Sequence, residues 1–324
     1  KQQVTRRFYH DVSDKEGIRS NSVYSLLVDD RGAVWVGHFQ AGLDYSLYQN
    51  GLFRTYAYPP LFNSANLSIR SFISRGQEKV IGSRDGLFYI NEATGMVKSF
   101  VKPVLTSDLI LTISFYQGEY YIGTYGGGMM VLNPETLSLK YFSQSDTELF
   151  QKGHIFCVKP DTKGNLWIGT SQGLFNYNGQ TKQIKHFTSA NSQLPEGNVY
   201  EVSFDSTGKG WIATETGMCI YDPASQNLRS NVFPEGFVNK DKVRTIYEDS
   251  EHNLYFIREK GSLFTSTLTM DRFYNQSVFS TLPDNSLMAI VEDNQGWLWV
   301  GCNDGLLRIK KEGEEYDAFT FNDG

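Results

Sequence analysis

A carboxylate set among small residues is the first place in this sequence where chemistry could reside. Ser25, Cys157, Glu201, Thr245 and Ala289 recur at 44 residues or a multiple of it. Glu201 is the single acid in that set, and a crowded carboxylate needs a counter-charge or takes up a proton. Three residues earlier runs a parallel set, Ser22, His154, Asn198, Lys242 and Ser286. Its His154 and Lys242 are titratable, and Lys242 is a possible partner for Glu201. A third set reads His38-Phe39-Gln40, Arg84-Asp85, Tyr125-Gly126, Ser171-Gln172, Glu215-Thr216, Arg258-Glu259 and Asn303-Asp304. Rings and planar polar groups in one set suit a sugar, which offers C–H faces to aromatics and hydroxyl edges to amides, carboxylates and guanidinium groups. The candidates for ligand contact are therefore His38, Phe39, Arg84, Tyr125, His154, Gln172, Glu201, Glu215, Lys242, Arg258 and Asn303.

No residue is assigned a catalytic role, and neither a metal nor a cofactor is expected. The five histidines are His10, His38, His154, His186 and His252, and none has metal-ligand spacing. Only His38 and His154 could share a face. Asp29, Asp161, Asp205, Asp249 and Asp293 are also periodic, but a calcium loop needs more oxygen ligands at alternating positions than these turns carry. They read instead as turn residues that accept backbone amides, with Gly32, Gly164, Gly208 and Gly296 supplying the left-handed conformation.

The elements that position these residues come from one repeat. Asn165-Leu166-Trp167-Ile168-Gly169-Thr170 returns about every 44 residues, seven times. Trp35, Trp167, Trp211, Tyr255 and Trp299 head five copies; Val80-Ile81-Gly82-Ser83 and Tyr121-Ile122-Gly123-Thr124 are the other two. A fixed period of this length means a repeat architecture. In the first copy, Val23–Val28, Val34–Phe39, Leu43–Tyr48 and Leu52–Tyr58 read as strands separated by turn residues, the last pair by Asn50-Gly51. Seven such sheets packed around an axis make an all-β, seven-bladed β-propeller of four-stranded antiparallel blades. The expected blades lie near residues 21–58, 66–101, 108–142, 154–187, 198–233, 242–279 and 286–321, all in one domain spanning 1–324. Arg6-Arg7-Phe8-Tyr9-His10 reads as one fourth strand too many, so Val4–His10 is expected to complete the last blade and join the chain ends, leaving Phe319–Gly324 surplus or paired beside it. The aromatic heading each copy should wedge between sheets, and the Gly two residues later should let neighbouring backbones approach. The sixth copy, Tyr255-Phe256-Ile257-Arg258, lacks that Gly and should form an irregular blade.

Composition narrows the partners. Of 324 residues, 41 are Tyr or Phe (19 and 22), which favours strands. Net charge is −6, and no basic tract follows a phosphate backbone, so nucleic acid is excluded as an expected partner. No apolar run approaches the length of a membrane span. Cys157, Cys219 and Cys302 fall at unmatched repeat positions and read as free buried thiols.

The repeat resembles the two-component regulator propeller repeat, whose pattern is an Asn before a strand, then D-x-x-G-x-hydrophobic-W-hydrophobic-G-T-x-x-G-L. Asn21, Asp29-Asp30-Arg31-Gly32-Ala33-Val34-Trp35-Val36-Gly37 and Gly42-Leu43 carry it, as do Asp161 to Leu174. The resemblance implies the periplasmic sensor region of a hybrid two-component histidine kinase, responding to oligosaccharides and non-catalytic by itself. It also implies a companion propeller and a β-sandwich in the same receptor, and raises a homodimer as a partner state. The chain opens Lys1-Gln2-Gln3 and ends Phe321-Asn322-Asp323-Gly324, so a piece of a longer receptor is expected. Two other readings remain: a propeller enzyme resembling streptogramin lyases, which use a histidine and a metal near the channel mouth, and a protein-interaction scaffold.

Overall fold

In the computed structural model, residues 6–14, 17–46, 53–56, 67–143, 148–230, 241–258, 263–268, 273–275, 287–303 and 305–310 are described. They form seven four-stranded antiparallel sheets and one four-residue helix, Leu149–Lys152; six sheets run in chain order from the axis outward, and the seventh takes its outermost strand from the N-terminal segment. The inner strands are Val23–Val28, Ile69–Arg75, Ile110–Tyr116, Ile155–Pro160, Val199–Phe204, Val243–Glu248 and Leu287–Glu292. Each contacts the next, and the seventh contacts the first, so the ring closes. The chain is an all-β, seven-bladed β-propeller.

Closure uses the two ends of the chain. Arg6–Phe8 pairs with Gly305–Lys310 as the outermost strand of the seventh blade, in the register Arg6↔Arg308 and Phe8↔Leu306. The Phe8 ring stacks 5.4 Å from Trp299 and meets Phe53 of the first blade at 5.0 Å, so the N-terminal strand is also packed across the last junction. The Asn50-Gly51 turn and Phe319–Gly324 lie outside the described residues.

Trp35, Trp167, Trp211, Tyr255 and Trp299, which head five of the repeats, are buried wedges. Trp167 of blade four lies 4.5 Å from Tyr221 and 5.9 Å from Phe204, both of blade five. Trp35 meets Phe72 of blade two, and Trp211 meets Phe256 of blade six. A buried indole still needs an acceptor for its N–H. The turn aspartate provides it. Nε1 of Trp35, Trp167, Trp211 and Trp299 donates to the carboxylate six residues earlier, at 3.0, 3.0, 2.8 and 2.8 Å. Tyr255 does the same through its hydroxyl to Asp249 at 3.0 Å. The other carboxylate oxygen accepts two turn amides, as Asp205 does from Thr207 and Lys209 at 2.9 and 3.0 Å. Gly32, Gly164, Gly208 and Gly296 hold φ between 78° and 81° in this turn. His252 takes their place in blade six at φ 67°.

Five second strands carry a Gly two residues after the repeat's head position (Gly37, Gly82, Gly123, Gly169 and Gly301), and it is a point of contact between blades. A Cβ at Gly169 would sit 2.5 Å from the Cys157 sulfur and 2.7 Å from the Val199 carbonyl oxygen of blade five. Blade six carries Ile257 there, yet its inner pair follows the same course as the others, from Val243↔Arg258 through a single register shift to Thr245↔Ile257 and Glu248↔Leu254. The expected irregularity is therefore corrected. Ile257 is fully buried against Leu287 in the cluster joining blades six and seven, so added side chain replaces close backbone approach.

Candidate functional site

All seven inner strands break their ladder at the same place. The register shifts after the first strand residue: Val23/Ser25, Ile69/Ser71, Ile110/Thr112, Ile155/Cys157, Val199/Glu201, Val243/Thr245 and Leu287/Ala289. A bulge leaves one residue out of the pairing and re-aims its side chain. The re-aimed residues are Tyr24, Arg70, Leu111, Phe156, Tyr200, Arg244 and Met288. All seven line one cavity of about 300 Å³ together with Lys242 and Thr245. While the residues on either side of each bulge face the blades, the bulge residues form the wall of the channel mouth.

Two runs of rings extend from the wall onto the neighbouring loops. One crosses blades three to six. Tyr125, half exposed, stacks on His154 at 4.0 Å; His154 lies 6.2 Å from Phe156; Phe156 lies 5.1 Å from Tyr200; the Lys242 ammonium sits 4.5 Å over the Tyr200 ring. The other run joins Phe39 to Tyr24 at 5.2 Å, with the Arg70 guanidinium 4.8 Å over Tyr24. Burial lowers the Arg70 pKa from its ordinary value; the Tyr24 hydroxyl opposes this and the like charge of Arg84 adds to it. Arg70 Nε is buried without a hydrogen-bond partner, and so is His154 Nδ1.

The sequence-derived candidates divide against this geometry. Tyr125, His154 and Lys242 belong to the first run of rings and Phe39 to the second. Arg84, Gln172 and Glu215 are exposed on the loops between second and third strands, and Asn303 is half-buried on the seventh such loop. His38 does not face the mouth: it is fully buried, its Nε2 2.9 Å from Asp44, which also accepts the Arg19 amide at 2.8 Å. Its position at the end of a second strand points it into blade one. Arg258 is likewise buried and ion-paired with Asp241.

Glu201 is held by Lys159 of blade four at 3.3 Å, not by Lys242, which is occupied above Tyr200. The Glu201 charge raises the Lys159 pKa, against desolvation, which would lower it. Burial, reinforced by the same carboxylate, pushes the Cys157 thiol well up, so it stays protonated and unreactive at neutral pH. The described cysteines are all free and buried.

Sequence reasoning passed over the seven bulge residues. Tyr24, Phe156, Tyr200, Arg244 and Met288 share the 44-residue spacing, so the repeat contained their signal. Plain strand alternation assigned the inward face to the neighbouring positions, because a bulge cannot be read from periodicity. Among the described residues, no group of three or more His, Cys, Asp or Glu is placed to hold a metal ion. Their exposed large apolar side chains are shared among the N-terminal segment (Tyr9, Val12), blade two (Met96, Val101, Val104) and blade three (Tyr125, Tyr141). No described helix is long and apolar enough to cross a membrane.

A closed seven-bladed propeller with an aromatic, cationic mouth is thus the class of protein in hand. The family model described as two component regulator propeller matches residues 17–40, 150–172 and 281–304. No curated protein matches the sequence. Among solved structures, the fold is similar to the extracellular domain of the putative one component system BT4673 from B. thetaiotaomicron, with TM-score 0.73 and 17% identity over 94% of this chain. It is also similar to that of the putative hybrid two component system BT3049 from the same organism, with TM-score 0.61 and 21% identity over 97% of this chain. The chain spans 40% and 48% of the lengths of those two relatives. A streptogramin B lyase shares the fold at TM-score 0.71 and 11% identity, covering 94% of this chain and 96% of the lyase.

Proposed function

We propose that this propeller is the extracytoplasmic, ligand-sensing part of a hybrid two-component regulator and that it recognises an oligosaccharide at the bulge-lined mouth. The observation that carries the reading is the continuous run Tyr125, His154, Phe156, Tyr200 and Lys242, of which Phe156, Tyr200 and Lys242 line the cavity. Ring faces receive the C–H faces of successive sugar units, and the flanking Arg84, Gln172 and Glu215 provide hydrogen-bonding groups for hydroxyls. The receptor would lie in the periplasm, with a companion propeller and a β-sandwich beside this one, and would be able to form a homodimer. Kinase chemistry resides outside this propeller, which is non-catalytic by itself. Ligand then signals only by binding one arrangement of the receptor more tightly than another.

The repeat match supports this reading, and so does the fold shared with extracellular domains of putative hybrid two component systems. The lyase shares the fold as well, but His38 is sealed against Asp44 while His154 is stacked on Tyr125, so these two histidines do not present a common site. Isothermal titration of the intact ectodomain against plant and host oligosaccharides tests the proposal. Binding that weakens at least about tenfold in Tyr200→Ala is expected from the loss of a stacking ring. Silence across the whole panel overturns it.

A further inference from the structure

One glutamate position recurs at two neighbouring blade junctions and is satisfied at only one of them. Glu78 and Glu119 each stand two residues before the repeat's head position, in blades two and three. Between blades two and three the acid is fully engaged. Glu78 accepts the hydroxyls of Tyr89 at 2.5 Å and Tyr120 at 3.0 Å. The Arg75 guanidinium lies 3.9 Å from the same carboxylate and 3.3 Å over the Phe115 ring. Two hydroxyl donors and a cation resting on a ring thus close that junction.

Between blades three and four the acid recurs and its surroundings do not. By strand register the equivalents of Arg75, Tyr89, Phe115 and Tyr120 are Tyr116, Val131, Pro160 and Leu166. Tyr116 does not take the place of the arginine, because its hydroxyl donates to the Gly164 carbonyl of blade four at 2.5 Å. A cleft of about 580 Å³ opens beside Glu119 and Val131, at the end of the blades away from the mouth. Tyr121, Tyr141 and Tyr177 line it as well, and Lys140 and Lys182 belong to its exposed rim.

The polar groups inside this cleft lack partners. Among the described residues, the Glu119 carboxylate forms no ion pair or hydrogen bond, and the hydroxyls of Tyr121 and Tyr177 form no hydrogen bond. Those two tyrosines are only 7% and 2% exposed. Burial raises the Tyr121 pKa, and the Glu119 charge raises it further, so the phenol stays neutral and can accept a hydrogen bond. Half-buried acids and buried hydroxyls without partners are costly unless something supplies them.

We propose that this cleft is a second ligand site and that it takes a small organic cation of the guanidinium or alkylammonium type. The cation meets Glu119 as Arg75 meets Glu78, its N–H groups reach the oxygens of Tyr121 and Tyr177, and its stem lies along Val131 and the half-exposed Tyr141 ring. Charge-assisted hydrogen bonds to a carboxylate are among the strong ones, and ring faces attract a cation further. Lys140 and Lys182 oppose it only weakly, because exposed charges are screened. The site is separate from the mouth and does not rest on the oligosaccharide reading.

The test is a set of equilibrium titrations of the 324-residue chain, followed by NMR, with n-butylguanidinium, n-butylammonium and the neutral n-butylurea. At least one cation should bind about tenfold more tightly than the urea, and the tighter of the two identifies the group recognised. Glu119→Gln should remove that difference. Val131→Tyr, which places a phenol where blade two has Tyr89, should fill the cleft, weaken both cations at least about tenfold and raise the melting temperature. Lys140→Gln should strengthen cation binding by up to about twofold. Tyr200→Ala, at the mouth, should leave it unchanged.

Equal binding of the urea and both cations overturns the charge class of the ligand. A cation preference that survives in folded Glu119→Gln, or in Val131→Tyr, places the cation elsewhere and overturns the site. If Glu119→Gln does not fold by thermal melting, Val131→Tyr decides, since it retains the carboxylate. Cation binding lost in Tyr200→Ala assigns the cation to the mouth and overturns the proposal. Absence of saturable binding by either cation overturns it outright and leaves the reading of the mouth standing.

Discussion

The two ends of each inner strand obey opposite rules. At one end, five turns repeat a single solution: an aspartate that accepts two amides and the polar atom of the wedge aromatic. At the other end, seven bulges repeat a backbone and vary the side chain, from Tyr24 and Arg70 to Arg244 and Met288. The same strand thus ends in a fixed chemical motif on one face and a variable one on the other. Side chains that repeat with the blades answer to packing between blades. Those that vary on a repeated backbone are released from that duty and are available for a ligand.

The largest effect should come from breaking the repeated end. Trp211 is fully buried, meets Phe256 of the next blade at 5.6 Å, and donates to Asp205. Trp211→Ala removes the wedge and strands a buried carboxylate oxygen, and should cost about 3–5 kcal/mol in denaturant unfolding. Asp205→Ala keeps the wedge but orphans its N–H and two turn amides, at about 2–3 kcal/mol. Tyr200→Ala at the mouth should change stability by no more than about 1 kcal/mol while weakening ligand. If Tyr200→Ala destabilises as much as Trp211→Ala, the division between the two ends fails.

Blade six sharpens the comparison, because there the repeated motif has been rewritten. Ile257 stands where Gly169 stands in blade four, with normal pairing around it. Ile257→Gly should open a cavity beside Leu287 and lower stability by about 2–4 kcal/mol, although it restores the repeat's own residue. Gly169→Ala, the smallest reverse change, drives a methyl group to 2.5 Å from the Cys157 sulfur and should cost about 1–3 kcal/mol. Chemical denaturation of the two variants decides it. A stabilising Ile257→Gly would mean that the residue is a defect of this blade, not its packing solution.

Legibility in the sequence follows the same division. The wedge aromatics, turn aspartates and left-handed glycines were readable because each performs one task at one spacing. The N-terminal strand was readable because Arg6-Arg7-Phe8 was one outer strand too many. The mouth was only partly readable. Tyr125, His154 and Lys242 stand where loop register put them, but the bulge shifts the inward face by one position, and Tyr24, Arg70, Phe156 and Tyr200 were passed over. Pairing was harder still. Lys159, not Lys242, reaches Glu201, and Asp44 claims His38, because cross-strand and cross-blade neighbours depend on side-chain direction that spacing does not specify.

The smallest expected effect lies in acid. Asp29 is buried, and burial alone would raise its carboxyl pKa. The Trp35 indole, the amides of Ala33 and Arg31, and the Arg31 side chain more than offset this, and hold it below the ordinary 3.8. In the unfolded chain the carboxyl takes up a proton near its ordinary value, while in the folded chain it does so only at lower pH. The stability that Asp29 contributes is therefore complete above about pH 4 and falls away as pH drops through the lowered folded value. Asp29→Asn retains an oxygen for the amides but turns an N–H group or a neutral oxygen toward the indole. It should be less stable than the parent at pH 7, and the gap between the two should narrow steadily below about pH 4 in urea midpoints measured from pH 7 to 2. Because the mouth of blade one contributes Tyr24 and Phe39 and no part of that turn, ligand affinity at pH 7 should be the same for both proteins. A gap that stays constant with pH would mean that Asp29 acts through shape alone, and that charge has no part in what repeats at this end of the blade.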